Sequence, residues 1–368
     1  MKVAVVSAYT ESHVSLRAEL IREMLLRGHE VVVFGGDPEE TWREEFAKRG
    51  CSYRQFFVNR TGTNPLQDFK TIRSLGRLFA EEKPDKVFTY HAKGNIYGSI
   101  AAYQSGVKEI YSLVAGLGTI FRDNPDDFNP IRSIMAAEYR FALKRAKTVF
   151  FQNDDDRRLF CEKGIVDLSK TAIVNGSGVD TVRFSYVTPP HDISFLFVGR
   201  LIKDKGIREF IEAARTVKER YPTISFQIVG DIDENPTSLK KDEVAQLAQE
   251  GVVTFYGSQA DIVPFYNKCA VFVLPSYHEG TPRSALEALS VGRPVILTDA
   301  PGCRDVVRDG ENGIMVPVRD PFALAAAMEE FVLNPSLVET MGKKSRAIAE
   351  EKYDVDKVNA VICNTMGL

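Results

Sequence analysis

Short apolar runs alternate with helix-period segments along almost the whole chain, and this alternation constrains the fold more than any other feature. VAVVS (3–7), EVVVF (30–34), KVFTY (86–90), EIYSLV (109–114), TVFF (148–151) and TAIV (171–174) read as buried strands. Between them, 14–27, 66–82, 94–105 and 130–146 carry helix-spaced apolar positions, such as Leu66, Phe69, Ile72, Leu75, Leu78 and Phe79. Strand–helix alternation implies right-handed crossovers and a mostly parallel sheet covered on both faces. The pattern pauses at GSGVDTVRFSYVTPPHD (176–192), where the Pro-Pro pair and the lack of a period predict a linker over 177–192. It restarts with ISFLFVG (193–199), ISFQIVG (224–230), VVTFYG (252–257), AVFVL (270–274) and PVILT (294–298). Helices are expected over 205–220, 237–250, 282–291, 321–333 and 336–351. The predicted fold class is therefore α/β, with two doubly wound domains, 1–176 and 193–350, facing each other across a cleft. A C-terminal helix over 351–368 is free to cross back to the first domain. Ligands of open α/β sheets sit at the carboxyl ends of the strands.

Composition narrows the function classes. The chain has 368 residues, enough for two cores, and a net charge of −3 excludes a surface that grips nucleic acid throughout. Five scattered cysteines with no C-x-x-C pair fit a reducing compartment and offer no zinc spacing. The opening MKVAVVSAYTESHV is too short in apolar length for a signal peptide and reads as a first strand. No stretch approaches the ~18–20 apolar residues that span a bilayer. A cytoplasmic protein with no nucleic-acid partner is expected.

The most informative stretch is VFVLPSYHEGTPRSALEALSVGRPV (271–295). A strand ends at Pro275, a loop follows, and Thr281-Pro282 predicts a helix start with Thr281 as N-cap. A helix N-terminus behind a strand favours anions through its free N–H groups and its dipole. Glu279 lies in the loop and Glu287 in the helix, so both can line one ligand. The structural alternative for Glu287 is an i,i+4 pair with Arg283, or simple exposure. Yet Ala285, Leu286, Ala288 and Leu289 surround it, and a carboxylate among small apolar residues needs a partner. A second cluster, FLFVGRLIKDKGIREF (195–210), places Arg200 after a strand and Lys205-Gly206 before a helix. Two cations at such a turn suit a diphosphate. Neither a Walker loop nor a G-x-G-x-x-G follows any strand, which disfavours the mononucleotide P-loop and the NAD fingerprint.

Arg200 and Lys205, with Glu279-Gly280 and Glu287 in E-x7-E spacing, resemble the donor half of family 4 glycosyltransferases of the GT-B fold, which pairs two Rossmann-like domains. APGCRDVVRDGENGIMVPVRD (300–320) and FQNDDDRRLF (151–160) extend the resemblance over nearly the whole chain. It implies that Arg200 and Lys205 hold the donor diphosphate and that Glu279 contacts the transferred sugar. The backbone of Gly280 and Thr281 would face the phosphates, and Glu287 would bind the ribose. It also implies retention of anomeric configuration, a UDP-sugar donor and no metal cofactor. Fixed cations suit this chemistry, because an oxocarbenium-like sugar and an anionic diphosphate develop as the glycosidic bond breaks.

Two departures stand out. SAYTESHVSLR (7–17) replaces the family's Gly-Gly turn, and Ala115 stands where a donor-contacting His falls, leaving the backbone at Gly116 and Gly118. Sugar identity therefore cannot be copied from the wider family. GLG (116–118), DENP (233–236) and SYHEGTPRSALEA are similar to bacterial transferases that extend sugars on undecaprenyl diphosphate, including those adding N-acetylgalactosamine in α-1,3 linkage.

A lipid-diphosphate-linked acceptor calls for a basic, partly apolar N-terminal face. Residues 60–79 supply Arg60, Lys70, Arg73 and Arg77 beside Phe69, Leu75 and Phe79, and 131–147 add five further cations. Such helices can lie peripherally on the inner face of an anionic membrane. His13, Arg17, Arg60, His91 and Lys93 fall near strand ends and are candidate acceptor contacts, with His91 and Lys93 the preferred pair. The acidic run Asp154-Asp155-Asp156 reads as a helix start rather than a metal site, and no metal site is expected. The competing readings are a transferase for a soluble acceptor, a non-catalytic nucleotide-sugar-binding subunit, and a nucleotide-sugar epimerase.

Overall fold

A computed structural model describes residues 1–60, 64–118, 121 and 129–368. Within these the chain divides into two units, Met1–Ser177 with Asp356–Leu368, and Gly178–Val355.

The first unit is built on a seven-stranded sheet in the order β3-β2-β1-β4-β5-β6-β7. Its strands are β1 (Lys2–Val6), β2 (Glu30–Gly35), β3 (Ser52–Gln55), β4 (Lys86–Tyr90), β5 (Glu109–Val114), β6 (Thr148–Phe151) and β7 (Thr171–Ile173). All pairings are parallel. Alternation sorts the strand side chains onto two faces. Val3, Val5, Val31 and Val33 pack on one side with Leu20, Ile21 and Met24 of the helix Ala18–Leu26 and with Ile362 and Cys363. Ala4, Val6, Val32 and Phe34 face the other way, onto Leu75, Leu78 and Phe79 of the helix Pro65–Glu82.

The C-terminal helix, Val355–Met366, thus belongs to the first unit, and it starts four residues later than the sequence predicts. Cations meet its terminal carbonyls. Lys86 donates to Met366 O and Gly367 O, and Arg27 to Leu368 O at 2.9 Å. This is the charge that a helix C-terminus favours.

The second unit carries a six-stranded parallel sheet, β10-β9-β8-β11-β12-β13. Its strands are β8 (Ser194–Val198), β9 (Ser225–Val229), β10 (Thr254–Phe255), β11 (Val271–Leu274), β12 (Val295–Thr298) and β13 (Gly313–Val316). In both sheets the strand order reverses direction once, between β1 and β4 and between β8 and β11. Crevices at such reversals receive ligands in doubly wound folds.

The predicted linker is not one. Residues 178–192 belong to the second unit, where Val179 and Phe184 are buried in the core. Their backbone is bound as well: Ser290 Oγ donates to Phe184 O at 2.7 Å, and Arg293 donates to Val187 O at 2.7 Å. The Pro-Pro pair and missing period mark irregular backbone, and irregular backbone can still be packed. The run Asp154–Asp156 forms the first turn of the helix Asp154–Glu162, with Asn153 Oδ1 accepting from Asp156 N at 2.8 Å, as predicted for a helix start.

Candidate active site

The strand reversal of the second unit gathers the residues that the sequence offers for a donor. β8 runs into Gly199 and Arg200, and a short turn at 203–205 leads through Gly206 into the helix Ile207–Arg220. β11 runs into the loop 275–282 and then the helix Arg283–Ser290. Two glycines let these loops touch. Gly206 has φ +70°, and a Cβ there would lie 2.1 Å from Pro275 O. Gly302 has φ +75°, and a Cβ there would lie 2.3 Å from Glu279 O. No other residue fits either approach without moving backbone. Backbone hydrogen bonds complete the clamp, from Tyr277 N to Asp204 O (2.9 Å) and from Glu279 N to Pro301 O (3.0 Å).

The clamp brings together residues 74 apart in sequence. Lys205 Nζ donates to Glu279 Oε1 at 2.5 Å, both side chains being mostly buried. Arg200, largely exposed, pairs with Asp233 at 2.8 Å, which holds the Asp233 carboxyl below its usual range. Asp233 opens the DENP stretch, so this stretch reaches Arg200 through its carboxylate. The backbone of Gly280 and Thr281 follows in the same loop. Thr281 is not the N-cap: the helix starts at Arg283 with Pro282 as the cap residue, because Pro282 has an extended ψ of 106°.

Glu287 is 4% exposed, with a donor on each oxygen. The Tyr266 hydroxyl donates to Oε2 at 3.0 Å, and Arg283 Nε donates to Oε1 at 3.0 Å. The i,i+4 pair that the sequence offered as a structural alternative is therefore present. Burial pushes the Glu287 carboxyl above its usual range, and the Arg283 charge and Tyr266 hydroxyl oppose that shift.

Behind Tyr266 lies Arg293, fully buried. Its guanidinium donates to five backbone carbonyls, those of Tyr266, Asn267, Val187, Val291 and Gly292. Tyr266, Arg293 and Asp233 are absent from the sequence-based site. Tyr266 is 21 residues from its carboxylate partner and lies on a helix whose apolar pattern gives no sign of the contact.

In the first unit, the candidate acceptor residues separate. His13 is fully buried, with Nε2 3.1 Å from Phe34 O and Nδ1 2.8 Å from the Tyr90 hydroxyl. A carbonyl only accepts, so Nε2 carries the proton and Tyr90 donates to Nδ1. Burial holds the pKa of His13 down to about 3. His13 is a neutral core histidine and cannot contact an acceptor, because the short helix Glu11–Ser15 turns it inward over β2. Arg17 is buried as well, 5.4 Å from the Tyr90 ring centre.

Lys93, one of the preferred pair of candidate acceptor contacts, forms an ion pair with Asp68 at 3.1 Å. His91, at the end of β4, keeps a left-handed backbone (φ +62°) rare for a residue with a side chain. Its Nδ1 lies 2.9 Å from Ser7 Oγ, and burial brings its pKa down to about 4. Tyr9 stands edge-on to His91 at 5.6 Å, and the Arg60 guanidinium lies 5.4 Å from the same tyrosine ring. Arg60 also pairs with Asp37 and donates to Ala8 O at 3.2 Å. The strand reversal thus collects Ser7, Tyr9, Arg60 and His91. Gly116, half-buried at φ +146°, follows β5.

Residues 179–348 match the family of glycosyl transferases group 1, and residues 16–176 match the glycosyl transferase 4-like domain. A curated relative from Campylobacter jejuni, an N,N'-diacetylbacillosaminyl-diphospho-undecaprenol α-1,3-N-acetylgalactosaminyltransferase, is 24% identical over 87% of this chain and 86% of its own. An Escherichia coli α-1,3-galactosyltransferase acting on α-D-GlcNAc-diphosphoundecaprenol is 29% identical over 80% of this chain and 79% of its own. Among solved structures, sucrose-phosphate synthase from Thermosynechococcus elongatus superposes with TM-score 0.82 at 19% identity, covering 99% of this chain and 98% of that one. HepE of Anabaena in complex with UDP gives 0.79 at 18%, covering 100% and 99%. Two matched domains that together span nearly all of the sequence, a glycosyl transferase 4-like domain and a glycosyl transferases group 1 domain, each on its own parallel sheet, mean that this chain is a glycosyltransferase of the GT-B type.

Proposed function

We propose that the chain moves a sugar from a UDP-sugar to a saccharide carried on undecaprenyl diphosphate, in the assembly of a bacterial surface polysaccharide or glycan. N-acetylgalactosamine in α-1,3 linkage, transferred with retention and without a metal cofactor, is the first donor and linkage to test. The Lys205–Glu279 pair at the β8–β11 reversal carries this reading. A diphosphate entering there takes Lys205 and Arg200 as counter-charges, and Glu279 is released to the hydroxyls of the transferred sugar. As the glycosidic bond breaks, negative charge grows on the leaving diphosphate oxygen, where a fixed ammonium lowers the barrier. Glu287 accepts from the ribose hydroxyls, and the acceptor approaches the cluster of Arg60, Tyr9 and His91. Support for the acceptor class comes from the two bacterial relatives that act on diphosphoundecaprenol substrates. On this reading the protein works peripherally at the inner face of the membrane.

Thermal unfolding with UDP, GDP, UDP-N-acetylgalactosamine, UDP-N-acetylglucosamine and UDP-galactose, each with and without EDTA, tests the donor. A ligand at a hundred times its dissociation constant adds about 2.7 kcal/mol. Stabilisation by uridine nucleotides that survives EDTA is expected. A folded sample indifferent to all five overturns the reading.

The ribose role makes a sharper prediction. A carboxylate accepts two ribose hydroxyls only when ionised, and burial raises the pKa of Glu287, so UDP affinity rises as pH climbs past the usual carboxylate range. Tyr266→Phe removes a donor that favours the ionised form. UDP binding is expected to weaken about 10-fold, as for loss of one hydrogen bond to a charged group, with the pH-dependent rise moved to higher pH. Isothermal titration at several pH values checks this, and an unmoved profile would remove Tyr266 from the site.

A further inference from the structure

We infer that the buried residues Ser7, Ser12, Tyr90 and His13 form a positioning chain that fixes the tautomer of His91, so that His91 Nε2 accepts a hydrogen bond from the reacting hydroxyl of the acceptor saccharide. This role deepens the acceptor reading above and rests on it for the identity of the hydroxyl, whereas the tautomer stands on the protein alone.

The chain begins in the core of the first unit and ends at the β1–β4 reversal, where Ser7 follows β1 and His91 follows β4. Ser7, Ser12, His13 and Tyr90 are all buried. A buried polar contact with no hydrogen between its atoms is costly, so proton positions are fixed by counting. Phe34 O accepts from His13 Nε2 at 3.1 Å, which leaves the neutral His13 without a hydrogen on Nδ1. The Tyr90 hydroxyl therefore donates to His13 Nδ1 at 2.8 Å. Ser12 Oγ has one hydrogen and two neighbours that can only receive it, the Tyr90 oxygen at 2.9 Å and Tyr9 O at 2.5 Å. None is left for Ser7, so Ser7 Oγ donates to Ser12 Oγ at 3.3 Å. With that hydrogen spent, the 2.9 Å contact between Ser7 Oγ and His91 Nδ1 takes its hydrogen from the ring. Tyr9 N donates to the second lone pair of Ser7 Oγ at 3.2 Å. The opposite tautomer would leave Ser7 one hydrogen for two acceptors, His91 Nδ1 and Ser12 Oγ. His91 is thus protonated on Nδ1 and presents Nε2 as a bare acceptor.

That nitrogen is open. Among the described residues it has no hydrogen-bond partner, and the ring is only partly covered. The backbone is held as well: His91 keeps φ +62°, and its carbonyl accepts from Asn95 N at 2.8 Å. A left-handed backbone at a residue with a side chain persists where its surroundings impose it, and such positions gather at functional sites. A sugar hydroxyl needs a donor to its oxygen and an acceptor for its hydrogen. Arg60, on the far side of Tyr9, can only donate, and Nε2 supplies the acceptor. Burial first, and the Arg17 charge second, hold His91 neutral. It therefore orients the hydroxyl without keeping its hydrogen.

Nitrogen-15 NMR of the full chain, labelled at its five histidines, reads the tautomer. The His91 signals are identified by their loss in His91→Asn. The wild type is expected to show hydrogen on Nδ1 and none on Nε2 at neutral pH. Ser7→Ala removes the last link and Tyr90→Phe one deeper in the core, and in both the Nε2–H form should appear. Both variants, and His91→Asn, should lose about 10-fold in kcat/KM for the acceptor, the scale of one hydrogen bond, with the KM for the UDP-sugar unchanged. A purely structural role would not move the tautomer together with the acceptor term. If Tyr90→Phe fails to fold, Ser7→Ala carries the test, since it deletes a single oxygen. Hydrogen on Nε2 in the wild type, or an Nδ1–H form that survives Ser7→Ala, overturns the inference. So does a changed tautomer in Ser7→Ala with acceptor kcat/KM kept within about twofold. An Nδ1–H wild type with no turnover on lipid-linked saccharides fails the acceptor reading and leaves the tautomer standing, and an active wild type with Nε2–H does the reverse.

Discussion

Lys205→Ala is expected to lower turnover by about 10²–10³-fold, the scale of losing one fixed charge from a transition state. The ammonium is held by Glu279 at 2.5 Å in a loop clamped at Gly206 and Gly302, so it is oriented before any substrate arrives. Little reorganisation is then needed as the diphosphate leaves, which is where preorganised charge has its largest effect. Glu279→Ala should cost a similar factor through the sugar contact and through the loss of the partner that holds Lys205. The two changes touch one pair, so the double variant should lose much less than the product of the single losses. Steady-state kinetics on the best donor, with the unfolding midpoint measured beside it, checks all three. Variants that fold normally and keep turnover within about threefold would remove this pair from the chemistry, since a transition-state contact is worth far more than that.

The central strands were legible because each is an uninterrupted apolar run, and such runs arise where a parallel strand is buried on both faces. β3 was not, because it is an edge strand in which only Tyr53 of Ser52–Gln55 is buried. β13, at the opposite kind of edge in the second sheet, begins with a glycine and follows a turn, so its run is too short to stand out.

That Arg200, Lys205 and Glu279 would share one sheet edge was legible for a different reason. Arg200, Lys205 and Glu279 all follow strand ends, and strand ends in this architecture define a single edge. What the sequence could not supply was pairing: that Arg200 meets Asp233, or that Glu287 meets Tyr266. Those contacts depend on side-chain direction across elements far apart in the chain. His13 shows the converse. A histidine near a strand end has the right position for a ligand contact, but one helical turn decides whether it faces the crevice or the core.

Arg293→Met should destabilise the second unit by at least ~3 kcal/mol. The buried guanidinium has two opposing effects. Burial disfavours its charge, enough to lower its pKa, and an apolar replacement of similar length relieves that cost. Against this, its nitrogens serve five backbone carbonyls drawn from three segments, at 187, 266–267 and 291–292. Each carbonyl left buried without a donor costs about 1–3 kcal/mol, so even partial relaxation leaves the loss larger than the relief. For a unit of this size the melting transition should fall by about 6–12 °C. Arg293→Lys tests the geometry apart from the charge, because one ammonium cannot span acceptors that a planar fork reaches together. That variant should still lose stability, and it should also bind UDP more weakly, since the carbonyl of Tyr266 is anchored by Arg293 while its hydroxyl holds Glu287. If Arg293→Lys melts lower yet binds UDP with unchanged affinity, Arg293 supports the core without reaching the site; a melting point equal to the wild type in both variants would mean that the carbonyls find other donors.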